Sequence, residues 1–524
     1  MSWYRYFKAT RWYSVFGGLW TEEGEIPTDQ LLYQQMVGRD MRRVPGASYL
    51  AQATNVFAPG VSRVIRKRPG FQKINANAVN AAGIWTSFVH LGEIADKFYG
   101  TLSIAAGSHN IYDFAADAPS AVTGGTNFTI GATNLITPLL FTDGTSPMAV
   151  FLSRSRDLPQ SINAAGTRAN YTIAGTGLTS LKPAIGEIFT QRALYGDYDQ
   201  DGTVYDDRVA WSDIRDGNLI TDITTQFLSF ETRLKDKVRG IRKISDICIV
   251  GKLNNIFTMI PTPEASVPFM VQEEPAGRTR GVVSHHAMEE CDHKMFWLGN
   301  SNIHSMDQQF QFRDWADAIQ PTIRGLNDAR REVSISGVDT DRSLIFFSVS
   351  DGSDSTNDDT IALNYKTGGL YLWSTRRNCY GYRAVSDDIR LVGGGYTGFA
   401  YYELTGTAGD LDDATAVIDA DVITPRYFLN GLALEQKIPY VFLLVGPVAT
   451  EAITVQYRLN DETSWSDPSG SPYTVSGTYE KIIVVPIKAI ARRIQLRFRN
   501  NTADAVYNIK QIGIPALAMK PTLA

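Results

Sequence analysis

The chain has 524 residues, enough for one large β architecture or about three ordinary domains. Hydrophobic residues make up 44% and charged residues 20%, and Gly, Asn and Thr interrupt the apolar stretches, so no segment predicts a membrane span. Lys and Arg number 50 against 55 Asp and Glu, and this net charge of −5 argues against a nucleic-acid-binding protein with a strongly basic surface.

The N-terminus is rich in aromatic side chains, with eight in the first twenty residues, interleaved with Arg5, Lys8 and Arg11. This pattern lacks the continuous apolar segment of a signal peptide. The rings need burial, either in the protein's own core or on a neighbouring chain, and the sequence leaves both open. A short helix is predicted from Asp29 to Arg42, with Thr28 as its N-cap.

The central part of the chain predicts short β-strands. Glycine is frequent, aromatic residues reach 11%, and few segments have helical periodicity. Strand–turn–strand units whose turns carry Gly, Asn or Asp recur at 97–114, 292–306, 343–374 and 389–404. Such units are typical of the meandering blades of a β-propeller, and an irregular assembly of β-sandwiches is the alternative.

The last ninety or so residues have a different pattern. Apolar and polar side chains alternate strictly through 453–459 and again through 494–499, which predicts strands with one buried and one wet face. The predicted fold class is therefore all-β in three parts. They are an N-terminal aromatic arm with a short helix at residues 1–60, a β-propeller-like domain at 61–430 and a C-terminal β-sandwich at 431–524.

One short segment resembles a calcium loop. Asp197, Asp199 and Asp201 alternate before Gly202, as in the first six positions of such a loop, and Asp207 lies near the position of the bidentate acid. Arg occupies that twelfth position itself, and no flanking helices are evident. The sequence leaves two interpretations open, a calcium site that rigidifies the loop or a solvated acidic connection.

Two other motifs favour structural interpretations. The segment 285–293 gathers three His, two Glu, one Cys and one Asp, but the spacing fits no zinc pattern, so surface polar residues at a blade turn are expected. Gly393, Gly395 and Gly398 spell G-x-G-x-x-G, yet a strand and not a helix is predicted to follow, which favours a tight hairpin over a dinucleotide site. The three cysteines, Cys248, Cys291 and Cys379, are expected to be free thiols.

No catalytic signature is found: there is no nucleophile elbow, no phosphate-binding loop and no zinc-protease motif. The sequence therefore predicts a protein that is not an enzyme and needs no cofactor. Acidic residues are concentrated in three stretches without Lys or Arg, at 197–207, 351–359 and 410–421. They are either ordinary solvated turns or a wall along which DNA passes without being gripped, because each Lys or Arg that pairs with a phosphate acts as a brake.

The stretch 51–71, which contains Asn55, Pro59, Gly60 and the Lys67–Gly70 run, resembles a signature of tail nozzle, hub or packaged-DNA stabilisation proteins of short-tailed bacteriophages. Later segments that resemble the same family follow in order at 208–212, 281–284, 295–298, 364–374 and 398–404. The resemblance extends from about residue 51 to the end of the chain. The first fifty residues match nothing in it.

The resemblance implies a structural virion protein with no catalytic residues. It implies a propeller-like protomer that assembles in the host cytoplasm into a ring, usually a hexamer, beneath the portal and head–tail adaptor of the phage tail. It also implies contacts with tail fibres or a plug, and genomic DNA that passes through the lumen without sequence-specific binding. The alternative from a different functional class is a carbohydrate-binding or glycan-processing β-propeller protein.

Overall fold

The computed structural model describes residues 10–14, 52–58, 65–92, 97–104, 108–115, 118–143, 146–232, 235–264, 267–385, 388–404, 417–428, 435–446, 448–502, 508–515 and 517–518. The helix predicted from Asp29 to Arg42 lies outside these residues. The described chain is almost entirely β. Its helical segments are Pro275–Gly277, His285–Ala287, Asp317–Ile319, Gln320–Arg324 and Arg331–Val333.

Seven sheets follow one another along the described chain, antiparallel except that Ile173–Thr176 pairs in parallel with Leu219–Asp222, and we call them blades 1 to 7. Blade 1 comprises Gly83–His90, Phe98–Ile104, Ser108–Asp113 and Ser120–Ala121. Blade 2 comprises Ile136–Thr142, Pro147–Ser153, Gln160–Asn163 and Arg168–Asn170. Blade 3 comprises Ile173–Thr176, Leu178–Phe189, Arg192–Gln200, Thr203–Trp211, Leu219–Asp222 and Phe227–Ser229. Blade 4 comprises Val238–Ile244, Ile247–Lys252, Ile256–Pro261 and Phe269–Glu273. Blade 5 comprises Met288–Cys291, Lys294–Leu298, Ile303–Asp307 and Phe312–Asp314. Blade 6 comprises Ile335–Asp339, Leu344–Val349, Asp359–Asn364 and Leu370–Trp373. Blade 7 comprises Cys379–Val385, Asp388–Gly394, Ala400–Tyr402 and Gln72–Lys73, a strand that precedes blade 1 in the sequence.

The innermost strands of these blades form a closed ring. Each contacts the innermost strand of the next blade, and Cys379–Val385 of blade 7 returns to contact Gly83–His90 of blade 1. The strand Gln72–Lys73 completes blade 7 by pairing with Ala400–Tyr402, so that one sheet contains chain from both ends of the ring. The fold is a seven-bladed β-propeller. This confirms the all-β, propeller-like class predicted from the recurring units.

The burial pattern explains why the blades lack simple alternation. Leu344–Val349 is buried at every position, because neighbouring blades cover both faces of its sheet. The predicted hairpins at 97–114, 292–306, 343–374 and 389–404 each correspond to paired strands of one blade. A strand covered on both sides is apolar throughout, so the turn residues predict the blades more clearly than the periodicity of the strands does.

The C-terminal region forms a β-sandwich, as its alternating pattern predicts. One sheet continues blade 6 through Gln52–Thr54, Ala420–Ile423, Arg493–Asn500, Val448–Leu459 and Tyr473–Gly477, with Tyr427–Phe428 also paired to Arg493–Asn500. The other contains Val56–Phe57, Ile65–Lys67, Asn508–Pro515, Gln436–Val445, Lys481–Ala491, Thr10–Ser14 and Leu517–Ala518. One buried cluster fills the space between these sheets and extends into blades 5 and 6.

The strand pairing shifts the predicted domain boundaries. Residues 52–67 and 420–428 pair with the C-terminal strands, so they belong to the sandwich, and the propeller begins at Gln72. Part of the N-terminal aromatic arm, Thr10–Ser14, pairs with Asn508–Pro515 of the same chain. Within the described residues no helix is long and apolar enough to cross a membrane.

Candidate functional site

The motif that carries the phage-tail resemblance lies at the joint between propeller and sandwich. Asn55 is buried with a left-handed backbone, φ 54°. Its amide nitrogen donates to the Ser374 hydroxyl and to the Asp419 carbonyl, each at 2.9 Å. Its amide oxygen accepts from Arg68 Nε at 3.1 Å and from the Ser374 backbone N–H at 3.0 Å. One side chain therefore links three segments that are distant in sequence.

Further contacts join the same segments. Trp373 Nε1 donates to the carbonyl of Val56 at 2.8 Å, and Asn364 Nδ2 donates to that of Ala58 at 2.8 Å. The buried Lys67 ammonium donates to the Thr502 carbonyl at 3.0 Å. The early motif and the 364–374 segment, recognised separately in the sequence, thus meet in space, and their polar residues have structural roles here.

The backbone makes this joint continuous. Thr54 pairs in parallel with Leu372 of blade 6 and antiparallel with Asp421 of the sandwich. A single ten-stranded sheet therefore runs from the innermost strand of blade 6 to the far edge of the sandwich. A flexible linker would allow the two domains to move independently, whereas a shared sheet and a shared core couple them as one body.

The ring closure is secured by a buried ion pair. Arg377 Nη2 lies 3.2 Å from Glu403 Oε2, and both side chains are almost fully buried. The guanidinium also lies 4.1 Å from the ring centre of Phe71 and 4.5 Å from that of Tyr401. Phe71 immediately precedes the closing strand Gln72–Lys73, so this contact fixes the N-terminal strand to blade 7.

A cavity of about 390 Å³ lies on the propeller axis. Its wall combines apolar side chains with polar groups that come from several different blades. Representative lining residues are Val89, Ile136, Arg242, Glu289, Ser336 and Tyr382. A second cavity, of about 790 Å³, shares Glu289, Tyr382 and Ile389 with the first and lies between blades 5, 6 and 7. Cavities of these sizes are typical of small-molecule sites and too small for a nucleic acid duplex.

Glu289 is the most perturbed carboxyl group in the axial cavity. Burial, together with the charges of Glu187 and Glu290, raises its pKa to about 7, although the nearby Arg242 opposes this rise. Arg242 Nη1 lies 3.5 Å from Glu187 Oε2. The same wall holds His286, whose pKa is lowered to about 3 by burial and by the positive charge of Arg242 and Arg154.

Another charged cluster joins three blades. Glu332, which precedes blade 6, accepts from Lys237 Nζ at 2.8 Å and pairs with Arg239 Nη1 at 2.7 Å and with Arg154. Burial disfavours the charge of Glu332, but the hydrogen bond from Lys237 and the charges of the two arginines outweigh it and lower the pKa to about 2. The cluster locks blades 2, 4 and 6 together and leaves a local excess of positive charge.

The carboxylates of the predicted calcium loop are held by hydrogen bonds within the protein. The segment is a hairpin in which Asp199 and Gln200 face Val204 and Thr203 across a two-residue turn, Asp201-Gly202, that has positive φ at both positions. Asp197 pairs with Arg156 Nε at 3.1 Å, and Asp199 accepts from the Gly202 N–H. The remaining carboxylates also have protein partners: Asp201 accepts from the Thr179 and Ser180 amides, and Asp207 accepts from the Ser229 hydroxyl.

Among the described residues no group of three His, Cys, Asp or Glu side chains is placed to hold a metal ion. The calcium loop stays a prediction; in the structure each of its four aspartates accepts hydrogen bonds from protein groups, and these bonds hold the hairpin. The expectation of a surface position for 285–293 is wrong in part, since His285 is buried and His286 and Glu289 line the axial cavity. The G-x-G-x-x-G segment is the predicted hairpin, between Asp388–Gly394 and Ala400–Tyr402.

The three acidic stretches have different environments. In the stretch 351–359, burial and the charges of neighbouring aspartates raise the pKa of Asp359 to about 6. In the stretch 410–421, residues 410–416 lie outside the described residues. Asp419 pairs with Arg499 and Asp421 pairs with Arg497, and the Nε–Oδ1 distance is 2.9 Å in each pair. The stretch 197–207 is the hairpin described above. Among the described residues, burial together with mutual repulsion raises the pKa of aspartates in two of these stretches, at Asp359 and, through Asp206, at Asp197.

Sequence reasoning missed the axial residues. Glu289 belongs to the 285–293 segment that the sequence singled out, but there it was weighed as a metal ligand, and Arg242 was not noticed. Both residues lie on innermost strands that also carry other charged side chains, such as Lys243 and Glu290, so no local pattern in the sequence marks them.

Neither a protein-family model nor a curated protein matches the sequence. Among solved structures, the chain is similar to the Neurospora crassa Pan2 WD40 domain, with 7% identity, 64% of this chain and 100% of that chain covered, and a TM-score of 0.33. It is also similar to an exo-β-1,3-galactanase from Phanerochaete chrysosporium, with 10% identity, 86% and 99% covered, and a TM-score of 0.27. Superpositions this loose carry no argument about function.

Proposed function

We propose that this chain is a structural virion protein of a bacteriophage tail, a nozzle or hub that forms a ring of identical copies. In this role the ring extends the portal–adaptor channel, retains the packaged DNA and conducts it at infection. The chain itself performs no catalysis. Its partners are further copies of itself, the head–tail adaptor and the fibres or plug of the tail, and it is assembled in the host cytoplasm.

One observation carries the proposal: two of the segments that resemble the phage-tail family, 51–71 and 364–374, meet at the joint around Asn55. These segments bond to one another across blade 6 and the sandwich. A shared fold at this joint explains why the early motif and the 364–374 segment occur together in one sequence. A rigid joint also suits a protein that must hold its shape against the pressure of packaged DNA.

In the proposed assembly the DNA path lies between copies of the chain. The axial cavity of about 390 Å³ is too small for a duplex, so a conduit requires several copies around a common axis. Closed rotational symmetry provides such a passage. A net charge of −5 suits a surface past which DNA slides, because few Lys and Arg residues are in excess to bind phosphates.

Complementation of particles tests this function. Particles assembled without the protein are expected to package DNA and then lose it, and supplying the chain should restore DNA-filled, infectious particles. A matched pair of variants sharpens the test. Asn55→Ala at the joint should fail to restore retention, and Asn460→Gly, in a sandwich turn where Asn460 is half-buried with φ 47°, should restore it. DNA-filled and infectious particles in the absence of the protein would contradict the proposal.

One observation favours the carbohydrate alternative, the raised pKa of Glu289 inside a cavity. A glycosidase requires a general acid with such a pKa and a second carboxyl group about 5 Å away for retention of configuration. Turnover of aryl glycosides that disappears with Glu289→Gln would support this alternative. Its absence, together with loss of DNA retention in particles that lack the chain, would favour the nozzle.

A further inference from the structure

Several polar groups in the wall of the axial cavity already bind other parts of the protein. The Ser87 hydroxyl lies 2.8 Å from the hydroxyl of Thr101. The Ser336 hydroxyl donates to the carbonyl of His286 at 3.0 Å. The hydrogen bonds of these side chains are made within the chain, so their presence in the wall does not call for a ligand.

Three other groups in this wall have hydrogen-bonding capacity left. Glu289, half-buried on the innermost strand of blade 5, accepts no hydrogen bond from a residue that the structure describes. Arg242, on the innermost strand of blade 4, donates from Nη1 to Glu187 at 3.5 Å, and its Nη2 has no acceptor among those residues. Tyr382 of blade 7 accepts from the Val338 N–H at 3.0 Å, and its own O–H has no acceptor in the described part of the chain.

Glu289 and Arg242 carry opposite charges on innermost strands that contact each other. The charge of Arg242 reaches Glu289, since it opposes the rise in the pKa of that carboxyl group, but the two side chains form no ion pair with each other. A ligand with only a positive group would be attracted by Glu289 and repelled by Arg242, and a ligand with only a negative group would experience the reverse. A molecule that carries both charges close together finds a partner of opposite charge for each.

The rest of the wall suits an apolar side chain. Val89, Ile136 and Ile335 are buried and line the cavity. Leu140 and Ile389 also line it and are exposed, so the cavity opens to solvent beside these two side chains. Its volume of about 390 Å³ lies in the range of small-molecule sites.

We propose that the axial cavity binds an α-amino acid with an apolar side chain. The ammonium group pairs with Glu289, the carboxylate accepts from Arg242 Nη2 and from the Tyr382 hydroxyl, and the side chain contacts Val89 and Ile136. This site is independent of the proposed role in the tail. It depends on the propeller of a single chain and not on assembly.

Isothermal titration calorimetry of the full-length chain with L-leucine tests the site, at about 0.15 M NaCl to suppress exposed charge effects. Two analogues keep the branched body of leucine and lack one charged group each: isoamylamine lacks the carboxylate, and isocaproate lacks the ammonium group. L-leucine should bind, and each analogue should bind at least tenfold more weakly, because it leaves one charged group of the wall without a partner. This comparison uses the unaltered chain, so it does not depend on the folding of a variant.

Two variants identify the carboxyl group that holds the ammonium group. Glu289→Gln should weaken the binding of L-leucine at least tenfold, and the preference for L-leucine over isocaproate should disappear with it. A general loss of stability would not change this preference. Glu264→Gln, which replaces an exposed acid in a blade 4 loop, is the matched control and should keep both the affinity and the preference.

Three results would each overturn the proposal. They are no heat of binding with millimolar L-leucine, an affinity for isocaproate or isoamylamine equal to that for L-leucine, and an unchanged preference over isocaproate in Glu289→Gln. None of them bears on DNA retention by particles, so a failure of this site and a failure of the proposed function are distinguishable.

Discussion

The amide of Asn55 and the hydroxyl of Ser374 are joined by a 2.9 Å hydrogen bond, although 319 positions separate them in the sequence. This bond connects the strand that begins the sandwich with the last strand of blade 6. It attaches the N-terminal motif to the outermost strand of blade 6, with which Thr54 also pairs. The rigidity of the joint is therefore the structural property from which the proposed function and the first prediction follow.

Replacing Asn55 by Ala should lower the free energy of unfolding by about 3–5 kcal/mol. The change removes the hydrogen bonds that Arg68 Nε and the Ser374 N–H donate to the Asn55 amide oxygen, and it places a residue with a Cβ but no polar side chain at φ 54°. Asn55→Gly removes only the hydrogen bonds and should cost less. Urea denaturation measures both, and Asn460→Gly should stay within about 1 kcal/mol of the wild type.

Breaking the ion pair that closes the ring should open the N-terminal strand. Arg377→Ala leaves Glu403 buried without its partner and removes the contact with Phe71, so a loss of about 3–5 kcal/mol is expected. Hydrogen exchange should become faster at Gln72–Lys73 before other strands. The exposed pair of Arg390 and Asp388 is the control, and its removal should cost less than about 1 kcal/mol.

Buried His109 should make the fold sensitive to acid. Its Nε2 accepts from the Thr86 hydroxyl at 2.8 Å while its Nδ1–H donates to the Thr129 carbonyl at 2.9 Å, and burial lowers its pKa to about 4. The unfolded chain binds this proton near pH 6.5, so stability is complete above that pH and decreases as the pH falls toward 4, by roughly 3 kcal/mol from this residue.

The pH dependence of His109→Asn compared with the wild type measures this contribution. The variant should lose part of the slope of unfolding free energy between pH 6.5 and 4, whatever its stability at pH 8. His293→Asn, at an exposed turn, should keep the wild-type slope. Identical slopes in all three proteins would show that His109 is not the source.

Glu289 should have the opposite effect on stability. Its pKa is raised to about 7 in the folded chain, so between pH 4.5 and 7 the folded state holds a proton that the unfolded chain has released. Stability therefore falls as the pH rises through this range. Glu289→Gln should unfold like the wild type at pH 4 and should be about 1–3 kcal/mol more stable at pH 8. Thermal unfolding at the two pH values checks this difference, and Glu264→Gln should show none.

The sequence predicted the blades and the sandwich because both depend on local patterns. Turn residues mark the hairpins at 97–114 and 389–404, and strict alternation marks 453–459 and 494–499 as strands with one wet face. The number of blades was not predictable, because closure depends on Gln72–Lys73 pairing with Ala400–Tyr402, a contact between distant segments.

The candidate site was less predictable for the same reason. The calcium interpretation used the spacing of Asp197, Asp199 and Asp201, but a hairpin with a two-residue turn produces the same spacing when Asp-Gly occupies the turn. The axial cavity is assembled from residues of six blades that are far apart in the sequence. No local pattern marks such residues as neighbours, and their common feature, a place on an innermost strand, becomes visible only in the folded chain.

Electron cryomicroscopy of the tail is the most direct test of the central claim, that copies of this chain enclose a DNA conduit. The account predicts a closed ring of identical subunits beneath the head–tail adaptor, in which each subunit fits the propeller and sandwich as one rigid body and DNA passes between the copies. Density for a single isolated copy, or a tail channel built without this chain, would contradict it.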